Sequence, residues 1–201
     1  GESFKNGLPF EFTDLYGKVT FSGNNGSKFN LFGFNFNDKA NVLNSQGVTT
    51  ATFQWAATGA GTTFVVSPAG SSSLINGKFA YSKYKINNQE LYFAPRSSSI
   101  NNFEGAIDFT YFFPGYSQLK YGIEVAGQNT KLDYRNSIGS TIVLDRNNTT
   151  ASAFFVYKKN FNQHFIFEPS VRLQYYSSQG RISPEPRLNM KYNVTSNLRF
   201  K

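Results

Sequence analysis

The one histidine of the chain, His164, limits what nucleophilic chemistry it could perform. A Ser-His-acid hydrolase would have to use it as the base, with a positioned serine and an oxyanion signature beside it. His164 instead stands next to a turn at the head of a strand pattern, with neither feature around it, and reads as an interfacial polar residue. Carboxylates are few and separated. Asp108 and Glu124 lie across one predicted hairpin with Lys120, and Glu168 shares a strand face with Arg172, so pairing with opposite charge is favoured over an acid–base couple. Asp133 and Asp145 flank a polar segment and could meet a cation, but a calcium loop needs denser oxygen ligands. Gly59-Ala60-Gly61 precedes no helix pattern, which excludes a phosphate-binding loop. Asn148-Thr149-Thr150 and Asn193-Val194-Thr195 match or neighbour glycosylation sequons and read as chance occurrences. No catalytic, cofactor-binding or metal-binding residue is assigned. The chain is read as not an enzyme, with its ligand-binding residues unknown.

The elements that position these side chains are strands. The stretch 103–134 reads as two long strands around Pro114-Gly115-Tyr116-Ser117, where proline fixes φ and glycine accepts a positive φ. Ile107, Phe109, Tyr111 and Phe113 alternate with Ala106, Asp108 and Thr110; Leu119, Tyr121, Ile123, Val125 and Gly127 alternate with Lys120 and Glu124. In a soluble sandwich the apolar rank would point to a core. In a membrane barrel it would point to lipid, with the charges in the lumen. Tyr111, Phe113 and Tyr121 cluster by the turn, as in the aromatic girdle of a barrel.

Composition agrees with strands throughout. Aromatics make up 17% of 201 residues and charged residues only 16%, so the mean hydropathy of -0.40 comes from Asn, Ser, Gln and Thr rather than from charge. That many aromatics argue against disorder. The absence of cysteine excludes a disulfide scaffold and a cysteine zinc module. The net charge of +8 raises nucleic-acid binding, but Lys158-Lys159 is the longest basic run, so no nucleic-acid partner is expected. No segment reaches the roughly 18 apolar residues of a membrane helix.

Strand patterns recur at 10–22, 27–36, 49–66, 73–86, 103–113, 118–132, 151–158, 165–176 and 187–192, with a short one at 198–200. At 27–36 both faces are apolar, Phe29 and Leu31 against Phe32, Phe34 and Phe36, and the phase stays open. Gly59-Ala60-Gly61 suggests a bulge or a close backbone approach, and Pro169 a local irregularity in the clearest strand. Short turns centre near residues 25, 69, 115, 161 and 195, including Gly23-Asn24-Asn25-Gly26, Ser67-Pro68-Ala69-Gly70-Ser71, Lys159-Asn160-Phe161-Asn162-Gln163 and Val194-Thr195-Ser196-Asn197. The polar stretches 37–48, 87–102, 133–149 and 177–186 read as long loops at the opposite end. Short turns at one end and long loops at the other is the layout of an outer-membrane barrel. The expected fold is all-β: an antiparallel transmembrane barrel with about ten strands here, 1–201 belonging to one barrel domain. The polar lead 1–7 and the stop at Arg199-Phe200-Lys201 suggest part of a larger barrel.

Four runs carry a family resemblance: LPFEFTDLYGKVTF at 8–21, NLFGFNF at 30–36, PGYSQLKYGIEV at 114–125 and SPEPRLNMKYNVTSNLRFK at 183–201. In that order, over most of the chain, the sequence resembles the barrel of TonB-dependent outer-membrane receptors. The resemblance implies a 22-stranded barrel in the bacterial outer membrane with an N-terminal plug, importing a bulky nutrient of the siderophore, vitamin, glycan or peptide class. These residues show no plug, no TonB box and no C-terminal strand with a terminal aromatic, Phe200 being penultimate, so they match a middle portion of the barrel. The implied partners are outer-membrane lipid, the TonB system through a plug not present here, and other outer-membrane subunits. The positive balance would suit an anionic ligand or lipopolysaccharide phosphates. Two other readings stand beside this one: a receptor-like barrel that is a structural subunit of a larger complex, and a small closed barrel with an enzyme or adhesin role.

Overall fold

The computed structural model describes residues 10–93, 95–136, 138–161, 164–193 and 199–200. All regular structure among them is β. The strands are β1 (Phe10–Ser22), β2 (Lys28–Leu43), β3 (Thr49–Val66), β4 (Ser73–Glu90), β5 (Arg96–Phe112), β6 (Gln118–Arg135), β7 (Thr141–Phe161), β8 (Phe165–Tyr176), β9 (Arg181–Asn193) and the two-residue β10 (Arg199–Phe200). They form one antiparallel meander in sequence order, each strand bonded to the next. No ladder joins β1 to β9 or β10 among the described residues, so the sheet is open.

No hydrophobic side chain among the described residues is buried, which rules out a sandwich core. The accessible surface is 14104 Å², against about 9,500 Å² for a globular monomer of this mass. The alternation decides which side is which. On β6, Tyr121, Ile123 and Val125 are exposed, whereas Lys120, Gly122, Glu124 and Ala126 between them are half-buried. β8 repeats this, with Val171, Leu173 and Tyr175 exposed and Arg172 and Gln174 sheltered. Side chains crowd on the concave side of a curved sheet and splay on the convex side. The polar rank is therefore inside and the apolar rank outside, the reverse of a soluble fold and the arrangement of a barrel in lipid.

The register carries this assignment across the sheet. Phe29 and Leu31 pair with Phe64 and Thr62 on the outer face, while Phe32, Phe34 and Phe36 point inward. The outer apolar band spans Phe103 to Tyr111 on β5 and Leu119 to Gly127 on β6, paired end to end with no charged residue on that face. Nine residues per strand agree with the ~9–11 that a tilted strand needs to cross the hydrocarbon. At the lower edge Tyr111 and Phe113 meet edge-to-face at 4.8 Å, Phe109 stacks on Tyr121 at 5.4 Å, and Phe161 stacks on Phe165 at 5.8 Å.

The expected long loops are largely strand. β2 runs on to Leu43, β4 to Glu90, β5 starts at Arg96, β6 and β7 are paired from Arg135↔Thr141 downward, and β9 starts at Arg181. The connections are only 44–48, 91–95, 136–140 and 177–180. Above the band both faces of a hairpin are wet, so the sequence there shows no apolar alternation. Polar cross-strand bonds replace it: Thr52 donates to Asn41 at 3.0 Å and Asn129 to Asn147 at 2.6 Å. The tips close in the same way. Asn44 Oδ1 accepts from the Gln46 and Val48 amides with Gly47 at φ 77°, and Asn136 Oδ1 accepts from Ile138 and Ser140 with Gly139 at φ 84°. At the lower end the 113–117 turn closes with Phe113 donating to the Ser117 carbonyl at 2.9 Å, through Gly115 at φ 79° and Tyr116 at φ 61°. Lys159, Asn160 and Phe161 belong to β7 rather than to a turn. Asn162, Gln163, the 194–197 turn and the lead 1–7 lie outside the described residues.

Gly59 and Gly61 make no bulge; the β2–β3 register runs straight through them. The close approach is by rings and by backbone, a Cβ on Gly61 lying 2.7 Å from the Phe79 carbonyl oxygen and one on Gly59 3.0 Å from that of Tyr81. Phe34 stands opposite Gly59 and Phe32 opposite Gly61, and a Cβ on either glycine would lie 2.6 Å from the ring. The outer face repeats the pairing with Phe64 over Gly77, Phe79 over Gly105 and Phe103 over Gly127. The flat ring covers backbone that the missing side chain leaves bare. Pro169 does interrupt the ladder: β7–β8 pairing lapses between Val156↔Ser170 and Lys159↔Phe167 and resumes in the same register.

Gly122 differs from the ring-covered glycines in that its nearest neighbour is backbone: its Cβ would meet the Ile107 carbonyl oxygen at 2.5 Å and Asp108 Cα at 2.9 Å, and backbone cannot swing aside. Gly122→Ala is expected to cost about 1–3 kcal/mol through overpacking, whereas Gly17→Ala, with open space around it, should be neutral or slightly stabilising. Urea midpoints followed by the emission of Trp55, the only tryptophan, measure the difference. Equal midpoints for the two variants would refute the close approach.

Candidate functional site

The charged residues that the alternation sends inward meet on the concave face of β4 to β8. Asp108 accepts from Asn76 at 2.9 Å and pairs with Lys120 at 3.2 Å. One step away Glu104 pairs with Lys78, and Glu124 lies between two cations, 3.7 Å from Lys78 and 3.7 Å from Arg172. The ring of Phe154 fills the space between the two groups, with Lys120 Nζ 5.9 Å and Arg172 Cζ 5.8 Å from its centroid. The expected trio of Asp108, Lys120 and Glu124 is thus on one face, but Glu124 belongs to Lys78 and Arg172 rather than to Lys120. Glu168 does not reach Arg172; it accepts from Asn189 at 3.2 Å.

The six ionised side chains of this network are Lys78, Lys120 and Arg172 against Glu104, Asp108 and Glu124, three of each sign, so it is neutral in sum. It spans five strands of the wall and fixes long side chains in place on the inner face. A second cation site sits higher on the same face. Arg96 is 3.7 Å from Glu90, and its guanidinium lies 5.2 Å from the Tyr134 ring centre and 5.7 Å from that of Phe93. On β2 the inward Phe34 and Phe36 stack at 5.2 Å, and the half-exposed Trp55 of β3 shares their face. The phase of these aromatics was not legible from β2, whose two sides are equally apolar; it follows only from the register with β3.

Other marked residues do not assemble into chemistry. His164 Nδ1 lies 3.4 Å from the Asn193 carbonyl, within the backbone pairing of β8 and β9, and no serine bonds to it among the described residues. Asp133 and Asp145 fall on the outer face above the band, and no group of three metal-ligating side chains occurs among the described residues. Asp145 is taken by Lys131 at 3.1 Å and by Asn129 at 2.8 Å, and these two donors hold its carboxyl below the ordinary aspartate range.

No protein-family model matches the sequence, and no characterised protein matches it closely enough to count as a relative. Solved structures do match. The outer membrane transporter YddB from Escherichia coli superposes with a TM-score of 0.56 at 8% identity, over 92% of this chain and 37% of that one. The ferric citrate transporter FecA in its unliganded form superposes with a TM-score of 0.54 at 15% identity, over 93% of this chain and 34% of that one. The sheet therefore has the fold of part of an outer-membrane β-barrel, and the chain spans about a third of the length of these two proteins.

Two measurements test the electrostatics. Glu124→Gln strips two cations of their shared anion and is expected to lower stability by about 1 kcal/mol, while Glu11→Gln, whose partner Lys39 is 3.7 Å away at a highly exposed position, should change nothing measurable. Identical urea midpoints would show that the inner network is not coupled. Asp145 has a depressed folded pKa, so its contribution is complete above the unfolded value of about 3.9 and is lost as pH falls through the lower folded value. Amide exchange at the β6–β7 tip should therefore stay slow at pH near 4 and quicken only in more acid solution. Asp145→Asn should exchange at a rate independent of pH over that window once intrinsic chemistry is removed.

Proposed function

We propose that this chain is wall of a TonB-dependent outer-membrane receptor barrel that imports a bulky nutrient of the siderophore, vitamin, glycan or peptide class. The observation that carries the reading is the partition of charge. The outer face of β5 and β6 is free of charge for nine residues, and the ion pairs at the level of that band lie on the sheltered inner face. A wall of that kind separates lipid from a wet lumen large enough for a solute. The likeness in fold to two transporter barrels supports it, and so does the resemblance of the sequence runs to the receptor family.

The hairpins β2–β3, β4–β5 and β6–β7 continue above the apolar band as paired polar strands. In this reading they form the outer rim that first meets the ligand, with Arg96 near the tip of the β4–β5 hairpin and the inward aromatics of β2 below the rim. The reading assigns no catalytic step, cofactor or metal to the chain. It places outer-membrane lipid around the band and the TonB system at a plug domain beyond these residues. Other outer-membrane subunits are the partners of the rival, purely structural reading.

A strain lacking the gene, supplied in turn with a ferric siderophore, cobalamin, an oligosaccharide or a peptide as the limiting nutrient, tests the proposal. It should fail to grow on one of the four, and in the parent strain uptake of that nutrient should stop when the proton-motive force is collapsed. Unchanged growth on all four, together with stable co-purification with other membrane subunits, would replace transport by scaffolding.

A further inference from the structure

We propose that Lys83 and Lys85 on the outer face of β4 are a docking site for the phosphorylated glycolipid of the leaflet around the upper edge of the barrel. The proposal rests on the outer-membrane reading above. Up the outer face of β4 the residues are Ile75, Gly77, Phe79 and Tyr81, then Lys83 and Lys85. At about 3.3 Å per residue, the two ammonium stems leave the backbone about 7 and 13 Å beyond the last aromatic. That is the level at which acyl chains give way to headgroups.

What sets this pair apart is the lack of a counter-charge among the described residues. Opposite Lys83 stand Thr58 and Asn101; opposite Lys85 stand Ala56 and Ser99. The other lysines of the outer face above the band are answered, Lys39 by Glu11 at 3.7 Å and Lys131 by Asp145 at 3.1 Å. Beside Lys85 runs an open groove of about 280 Å³ on the outer face, lined by Asn37, Gln54 and Asn87 and ending at the Lys39–Glu11 pair. Ammonium groups suit a phosphate as point charges, and amide side chains both donate to and accept from sugar hydroxyls. A molecule that carries acyl chains, phosphate and sugar in sequence meets the apolar band, the two lysines and the groove in that order. A free phosphate would use only the middle of the three.

The test is lipid retention by the full chain in vesicles of phosphatidylcholine doped with a lipid A-type glycolipid, either phosphorylated or enzymatically dephosphorylated. Insertion is checked first by the heat-dependent gel shift of a folded barrel. Wild type should retain the phosphorylated form preferentially at low salt, and Lys83→Gln and Lys85→Gln should each lower retention by about five-fold, with Lys131→Gln unchanged. Equal retention by the K83Q/K85Q double variant, or of the dephosphorylated lipid, would overturn the proposal. So would displacement of the lipid by inorganic phosphate alone, which would make the site one for a free anion. Failure of wild type to insert would remove the outer-membrane reading itself, whereas insertion without lipid discrimination removes only this inference.

Discussion

A single sheet without a core has to find two solvents. No apolar side chain of the described residues is buried, yet the apolar rank lies on the more exposed side, with Ile123 at 60% and Leu173 at 49%. In water such a surface would drive aggregation, because contiguous exposed apolar patches of that extent do not persist on soluble monomers. The other features follow from placing that rank in lipid. Each backbone amide in the band must be bonded within the sheet, since hydrocarbon offers no substitute. This is why the meander keeps an unbroken register over nine residues between β5 and β6. The lapse at Pro169 stays local for the same reason, the ladder resuming in phase three residues on.

Packing within such a wall cannot come from burial and comes instead from neighbours on the same face. The Phe–Gly pairs are the clearest instance. A phenylalanine directly across from a glycine lays its ring over bare backbone, and it does so on the lipid side at Gly77, Gly105 and Gly127 and on the inner side at Gly59 and Gly61. The same device serves both faces because it satisfies contact rather than hydrophobic transfer. Prolines obey the complementary rule. Pro184 and Pro186 sit on β9, which is paired along β8 but meets β10 only at Tyr192 and Asn193 among the described residues, so their lost donors interrupt no long ladder.

What could be read from the residues tracks the solvent on each face. Where one face is lipid and the other water, as over 107–113 and 119–127, alternation gives the strands, their faces and the turn between them. Where both faces are wet, alternation has no cause, and the strands of 37–43, 87–90 and 96–102 pass for loop. The Asn-x-x-Gly pattern at Asn44 and Asn136 marks those hairpin tips, a signal hidden inside the polar stretches. On the inner face of β2 three phenylalanines cancel the contrast altogether. The ion-pair network was legible only in part: Asp108 and Lys120 belong to one hairpin, whereas Lys78 and Arg172 reach Glu124 through strands whose register no local pattern contains.

The distribution of charge then separates two roles that a net value of +8 merges. On the inner face of β4 to β8, three cations and three anions pair off and hold long side chains in fixed places. Outside the wall the band carries no charge at all, and the first uncompensated cations, Lys83 and Lys85, stand directly above it. Only part of the excess positive charge is thus set against the boundary between lipid and water, because Lys18, Arg146, Lys158 and Lys191 fall on the inner face outside the network. The screening length there is about 8 Å at physiological salt, so the field of these two lysines reaches only what lies against the outer face of the wall.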